Sequence, residues 1–412
     1  MIKQRLNTDN NLHLEPQQIR VGIFSSSSLE FYGGGEFIII ELANSLARRG
    51  YHVTVYSDLN YRNVSRISSS SVDEKLLCKH QRVPYFCEKS FLMPHFLYQP
   101  LPAYDSICQN DINLIMLYRL PSSRYFKEVI LRSDKAIVFM MHGVVLNQIR
   151  NKSPKVMAYQ IFVKFLFSLR SRLYVTSGNV HFQVFDDRTK RLMLRNNVEQ
   201  KNVYIIPNGI DFSRYFVGRN DERFKIIFIG RLNKLHKGVP FLIKVIQLVL
   251  KKHLQDLEFC IVGSGPEAKK IMKTFSKYDS VKYLGFISEE EKIKNLSTSN
   301  LMIITSNIEP FPIVAIEALA SGLPIVSTRA SGPQAMLSTA DDLGKVVGFK
   351  TDSFVTAVVD YHSIWRRNKG EYYVRKIGIR KKSEVIFSLD KMTDNYASMI
   401  MKIHRDIEDK KP

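Results

Sequence analysis

The apolar positions fall into two successions of short strands alternating with helices. From Ile19 the run IRVGIF ends in four serines and then Gly33, Gly34 and Gly35. EFIIIELANSLARRG follows with apolar residues at helical spacing and a stop at Gly50, and HVTVYS reads as a second strand. Strand, glycine-rich loop, helix and strand in that order predict a right-handed crossover of a parallel sheet. Further strands are predicted at INLIML (112–117), AIVFMM (136–141), LYVTS (173–177) and NVYIIP (202–207). The stretch 60–111, with Pro84, Pro94, Pro100, Pro102 and many aromatics, reads as a loop-rich insertion near an acceptor site.

After the turn at Pro207, Asn208 and Gly209 the pattern restarts with KIIFIG (225–230), the helical GVPFLIKVIQLVLKKH, EFCIVG (258–263), VKYLG (281–285), LMIIT (301–305) and PIVST (324–328). Such short, nearly continuous apolar runs between helices are strands buried on both faces. The expected fold is α/β, with two Rossmann-like doubly wound domains facing across a cleft. A flexible tail occupies 1–17, an N-terminal domain 18–207 and a C-terminal domain 208–388. LDKMTDNYASMIMKIHRDI forms a terminal helix within 389–412, for which packing back on the N-terminal domain is one arrangement. Ligands of open α/β sheets bind beyond the carboxyl ends of the strands, so the chemistry is expected in the loops that follow them.

A chain of 412 residues suits more than one domain, and 45% hydrophobic residues are ordinary for a folded protein. Cys78, Cys87, Cys108 and Cys260 are scattered, without the pairing of a zinc site or the density of a disulfide scaffold. A polar N-terminal stretch and the lack of any uncharged apolar run of eighteen residues predict a cytoplasmic protein, peripheral at most on the inner face of a membrane. The net charge of +21 calls for an anionic partner: nucleic acid, an anionic membrane surface or a phosphorylated substrate. From Lys135 to Phe185 there is no Asp or Glu, while Arg150, Lys152, Lys155, Lys164, Arg170 and Arg172 are basic. Within that segment YQIFVKFLFSLRSRLYV has the composition of an interfacial helix, or of a core-packed helix with a basic rim.

The densest motif is SNIEPFPIVAIEALASGLPIVST. A strand ends near Thr305, Glu309 lies in the loop, Pro312 suits the first helical position, and the helix runs to Gly322 with Glu317 more than a turn inside. The free N–H groups of that helix start form a site for a diphosphate. The carboxylates suit sugar hydroxyls, which they would accept from, better than phosphate, which they would repel. On spacing alone Glu309 reads equally as a complement to the helix dipole and Glu317 as a solvated helix residue. In IGRLNKLHKGVPFLI, Arg231 and Lys237 flank the loop after a strand, and two cations there fit a diphosphate.

The Glu, seven residues, Glu spacing followed by ALASGLPIV resembles the signature of glycosyltransferase family 4, a group with the GT-B fold. The resemblance implies a retaining transferase that uses a nucleoside-diphosphate sugar. By it, Glu309 lies beside the donor sugar, Glu317 accepts from the ribose hydroxyls, and the amides of Phe311, Ile313 and Val314 face the phosphates. Arg231 and Lys237 match the family's pyrophosphate-binding pair. PNGID, EFCIVGSGPE and VKYLGFIS resemble family segments in which Gly263, Ser264 and Gly265, with Leu284, Gly285 and Phe286, line the base and ribose. GGGEFIIIELANSLARRG resembles the family's glycine-rich loop, placing Gly34 and Gly35 toward the donor phosphates, and His142 after its strand matches a histidine that contacts the donor sugar. INLIMLYRLP lacks the histidines common in relatives at that strand.

The GGG loop is not the Gly, any, Gly, any, any, Gly fingerprint of a dinucleotide fold, which disfavours a dehydrogenase. No Asp, any, Asp follows a strand as in a metal-dependent transferase, so no cofactor and no metal are expected. The expected activity is transfer of a hexose-class sugar to a glycan or lipid-linked acceptor. Two alternatives are a basic nucleic-acid-binding protein, for which Tyr85, Phe86 and Phe91 form no recognised module, and a catalytically silent partner of another enzyme.

Overall fold

Two all-parallel sheets organise the chain in the computed structural model, which describes residues 16–25, 29, 33–58, 72–83, 85–86, 101–117, 129–142 and 179–410. The first half contains β1 (Arg20–Ser25), α1 (Gly34–Arg48), β2 (His52–Asp58), α2 (Val72–Lys75), β3 (Lys79–Val83) and the two-residue partners β4 (Tyr85–Phe86) and β5 (Leu101–Pro102). It continues through α3 (Tyr104–Cys108), β6 (Ile112–Met116), β7 (Ala136–Met140), β8 (Val180–Val184), α4 (Asp187–Arg195) and β9 (Val203–Ile205). Its sheet runs β3-β2-β1-β6-β7-β8-β9.

The second half alternates strictly: β10 (Phe224–Ile229), α5 (Val239–Leu250), β11 (Leu257–Val262), α6 (Ala268–Phe275), β12 (Val281–Gly285), α7 (Glu289–Ser297), β13 (Leu301–Ile304), α8 (Ile313–Ala320), β14 (Ile325–Thr328), α9 (Ser331–Leu337) and β15 (Gly344–Val347). Its sheet runs β12-β11-β10-β13-β14-β15. Three long helices follow, α10 (Thr351–Arg367), α11 (Lys369–Phe387) and α12 (Leu389–Glu408).

Burial explains the pattern of the strands. β6, β7, β11, β13 and β14 are buried at every position, as a sheet covered on both faces by helices requires. Helix starts are fixed locally: Asp186 accepts from the Thr189 N–H, and Ser288 with Glu291 forms a reciprocal capping box that opens α7.

The chain crosses between the halves twice, at 207–211 and at 387–390, and the crossings are bonded together. Ile210 N–H donates to Phe387 O (3.0 Å) and Leu389 N–H to Ile210 O (2.7 Å). A Cβ on Gly209 would stand 2.3 Å from Ser388 O, so only glycine permits this approach. α12 returns to the first half, where Arg49 at the end of α1 pairs with Asp394 and the Tyr396 hydroxyl lies 3.4 Å from Met140 Sδ.

Several expectations change. The stretch 60–111 is not wholly irregular: its described residues include β3, which extends the sheet beside β2, as well as β5 and α3. β8 and β15 were not predicted. The strand expected at 173–177, the tail before Pro16 and the basic stretch 143–178 lie outside the described residues. Pro312 caps α8 and does not open it, with φ −80° and ψ 111°. Among the described residues no helix is long and apolar enough to cross a membrane.

Candidate active site at the carboxyl ends of the second sheet

In the second sheet the strand order reverses between β10 and β13, and such a switch point opens a crevice beyond the strand ends. The loops after those two strands carry Arg231 with Lys237 and Glu309. They are laced together by backbone and side-chain bonds. Asn307 and Ile308 N–H groups donate to His236 O (2.8 and 3.2 Å), Asn307 Nδ2 to Leu235 O (2.9 Å), and Thr305 Oγ1 to Lys237 O (2.9 Å). Within the first loop Asn233 Oδ1 accepts from the N–H groups of His236 (2.9 Å) and Lys237 (3.0 Å). Asn233 and Asn307 therefore set where Lys237 stands, and neither was singled out from the sequence.

Lys237 Nζ meets Glu309 Oε2 directly, and Ser306 Oγ donates to the same oxygen at 3.3 Å. Glu309 is buried, and its backbone oxygen accepts from the Gly332 N–H at the start of α9 (2.9 Å). Arg231 is exposed at the mouth of the same loop. Ile313 and Val314 open α8, where helix geometry leaves their N–H groups without intrahelical acceptors. Two cations, a carboxylate and free backbone donors thus share one crevice.

The loop after β11 joins them. Leu232 N–H donates to Ser264 O (2.8 Å) and Glu267 N–H to Leu232 O (3.1 Å). Gly263 has φ +128°, and a Cβ there would fall 2.0 Å from Gly230 O, so a side chain would push the two loops apart. Gly263 N–H in turn donates to Gly285 O (2.6 Å), which brings in the end of β12. Beside it Leu284 is 38% and Phe286 67% exposed, leaving two large apolar side chains open at the rim.

Glu317 lies on the inner side of α8 and is buried. Its Oε1 accepts from Lys292 Nζ on α7 at 2.7 Å, and Lys292 also pairs with Glu289 at 2.9 Å. Burial works against the charged amine of Lys292, but the Glu317 and Glu289 carboxylates outweigh it and hold its pKa above the ordinary value. The sequence pointed to Glu317 and not to Lys292, which sits in an acidic, outwardly polar helix start.

The first sheet faces this crevice through the start of α1 and the end of β7. A Cβ on Gly34 would lie 3.3 Å from Ile313 Cγ1, so the first turns of α1 and α8 approach each other, with Gly35 one residue further into α1. His142 follows β7, edge-on to Phe185 (4.9 Å between ring centres), and Phe185 stacks on Phe311 (4.7 Å). This row of rings connects His142 to the Glu309 loop. Its Nε2 is sealed from solvent and has no hydrogen-bond partner among the described residues. Burial lowers the His142 pKa to about 3, so at neutral pH the ring is uncharged.

Comparison with known proteins agrees with this arrangement. The profile of Glycosyltransferase Family 4 matches residues 32–214, and that of Glycosyl transferases group 1 matches residues 210–358. The chain is a family 4-type glycosyltransferase. An uncharacterized glycosyltransferase of Methanocaldococcus jannaschii is 32% identical over 33% of this chain, a match that spans 38% of the relative. A phosphatidylinositol N-acetylglucosaminyltransferase component of Arabidopsis thaliana is 23% identical over 84% of this chain and 74% of its own length. Among solved structures, Anabaena HepE in complex with UDP-glucose superposes with a TM-score of 0.64 at 14% identity, covering 93% of this chain and all of HepE. That likeness concerns the fold, which is the GT-B arrangement of two parallel-sheet domains.

Proposed function

We propose that this glycosyltransferase takes a sugar from a nucleoside-diphosphate donor held at the carboxyl ends of the second sheet and transfers it with retention, without a metal ion. The observation that carries the proposal is the contact of Lys237 with Glu309 in the loop that leads into α8, with the exposed Arg231 on the same loop as Lys237. The diphosphate sits against the N–H groups of Phe311, Ile313 and Val314, with Arg231 as a fork and Lys237 as a point charge. Lys237 then stands between phosphate and Glu309, which leaves the carboxylate at the sugar end of the donor.

Stabilising charge on the departing nucleoside diphosphate lowers the barrier, and the two cations supply what a divalent ion supplies elsewhere. In front-face transfer the bond from the anomeric carbon to the phosphate oxygen breaks while the acceptor oxygen bonds on the same face. The acceptor proton passes to the leaving phosphate oxygen, so no side chain becomes covalently attached. Glu309 positions the sugar, the neutral His142 hydrogen-bonds a sugar hydroxyl, and Glu317 accepts from the ribose. Gly34 and Gly35 give the phosphates room at the start of α1, while Gly263, Leu284 and Phe286 border the base and ribose.

The acceptor class is a lipid-linked or phosphorylated glycan at the inner face of an anionic membrane. The net charge of +21 and the phosphatidylinositol-modifying Arabidopsis relative support it. UDP-sugars are the first donors to test, given the complex of the HepE neighbour. Turnover of UDP- and GDP-sugars is measured in wild type and in Glu309→Ala, Arg231→Ala and Lys237→Ala. Unchanged rates in all three variants sink the proposal, and loss of activity on adding a chelator overturns metal independence. Flotation with no preference for vesicles rich in anionic lipid removes the membrane assignment.

A further inference from the structure

The helices on one face of the second sheet carry charge that nothing nearby matches. α5 and α6 each lead from one parallel strand to its neighbour, and Leu242, Val245 and Ile246 of α5 share a core with Ile271 and Phe275 of α6. Neither helix contains Asp or Glu. Helical spacing puts Lys244 and the C-capping Lys251 on one outward stripe of α5. It puts Lys269, Lys273 and, just past the helix end, Lys277 on the outward stripe of α6, with Lys270 beside them. All six are exposed.

Other surface cations of the second half are paired: Lys282 with Glu258 at 2.9 Å, Lys345 with Asp360 at 3.0 Å and Lys382 with Asp342 at 3.2 Å. Among the described residues none of the six lysines has such a partner, and the flanking acids Asp256, Glu267 and Asp279 form no ion pair with them. Lys269 and Lys270 stand in the first turn of α6, where the helix dipole favours anions, so their charge works against the helix. Met272 (46% exposed) and Tyr278 (45% exposed) add apolar surface to the same region.

We infer that the outer faces of α5 and α6 dock on an anionic lipid surface. This rests on the membrane assignment proposed above and gives it a place in the fold. Lysines on flexible stems are point charges with no fixed geometry, which suits mobile anionic headgroups, and Met272 and Tyr278 suit the interface beneath them. Nucleic acid is the poorer match, because neither helix carries an arginine to fork onto a base or a groove of stacking rings. α6 begins just past Gly263 and Gly265 at the crevice, so docking along this layer sets the crevice mouth beside the bilayer, within reach of a lipid-linked acceptor.

The experiment is flotation of the full chain with vesicles of phosphatidylcholine alone and of phosphatidylcholine with an equal amount of phosphatidylglycerol. The test variant is Lys269→Gln, Lys273→Gln and Lys277→Gln together. The control is Lys201→Gln, Lys345→Gln and Lys382→Gln together, which removes the same charge from lysines paired with Glu199, Asp360 and Asp342. Wild type is expected to prefer the anionic vesicles. The test variant is expected to bind them about a hundredfold more weakly, since each lysine at an anionic surface contributes roughly fivefold. The control is expected to stay near wild type, and thermal melts of both variants to match it. Equal losses in both variants overturn the inference in favour of net charge alone. Undiminished binding by the test variant overturns it and leaves the membrane assignment standing. Wild type that ignores the anionic vesicles removes that assignment and this inference together. If it instead retards a DNA duplex through the same lysines, the face belongs to nucleic acid and the inference is overturned.

Discussion

The two sheets share one architecture and differ in the polar groups they bury. Among the described residues the first half buries mostly neutral ones. Asn110 Nδ2 donates to Ser106 O (3.1 Å) and Asn113 Oδ1 (3.2 Å), Asn113 Nδ2 to Ala136 O (3.3 Å), and His142 and His181 are held uncharged. Glu36 in the first turn of α1 is the exception. The second half buries Glu309, Glu317, Glu258 and Lys376, with Lys237, Lys292 and Lys282 drawn against the carboxylates. Buried charge costs stability unless it is matched, so a fold keeps it where it has a use. Two of these pairs stand in the crevice proposed for a diphosphate. The first half offers neutral donors, close backbone and a row of rings, which suit orientation more than charge stabilisation.

That contrast is broken most directly by kinetics. Lys237→Ala and Glu309→Ala are expected to lower kcat by about 10²–10³, the loss typical of removing one electrostatic contact to a transition state, and Lys237→Ala, which leaves Glu309 buried and unpaired, is expected to lower the melting temperature as well. His142→Ala is expected to cost about tenfold, the size of one neutral hydrogen bond. Steady-state rates on the preferred nucleotide sugar decide the matter: a His142 loss as large as that of Lys237 would mean that both halves share the charge stabilisation.

Stability sharpens it next. Lys376 Nζ donates to Ser299 O (2.7 Å), Gly218 O (2.8 Å) and Ser297 O (3.3 Å), tying α11 to the end of α7 and to the chain entering β10. Burial pulls its pKa down to about 7, whereas three carbonyl acceptors match the three donors of an ammonium and favour the charged form. Lys376→Met removes the buried charge but leaves those carbonyls unmatched, and urea unfolding is expected to show a loss of about 2 kcal/mol. A neutral or stabilising result would show that the cation costs more than its bonds return.

How far the molecule could be read from its sequence follows the same division. Strand, loop and helix of the second half are contiguous and strongly apolar, so β10 to β14 and the loops with Arg231, Lys237 and Glu309 stood out. What did not stand out depends on distant pairing or on polar strands. Lys237 and Glu309 are 72 residues apart, and only the sheet order brings them into contact. Lys292 looks like part of a solvated, acid-rich helix start until α7 is packed beside α8. β3, with the sequence KHQRV, is an edge strand with no wholly buried position and so carries no apolar run. β8, with the sequence VHFQV, alternates polar residues that are nevertheless buried, and its apolar neighbour LYVTS drew the prediction instead.

The smallest effect expected is a pH dependence from the neutral histidines of the first half. Burial, aided by Lys410, Lys402 and Lys201 and opposed by Asp406, lowers the His181 pKa to about 4, against an ordinary value near 6.5. Between those values the unfolded chain binds a proton that the folded chain refuses, so stability falls as pH is lowered through the window and is fully present above it. From pH 7 to pH 5.5 the loss for this one group is about 1 kcal/mol. His181→Gln removes the titrating ring, so the test is the slope of stability with pH and not its absolute value. Urea unfolding at pH 7 and 5.5 is expected to show a shallower slope in the variant than in wild type. Equal slopes would mean that His181 takes up its proton as readily in the folded as in the unfolded chain, so that at pH 5.5 the first half, too, carries buried charge beside Tyr204 and α12.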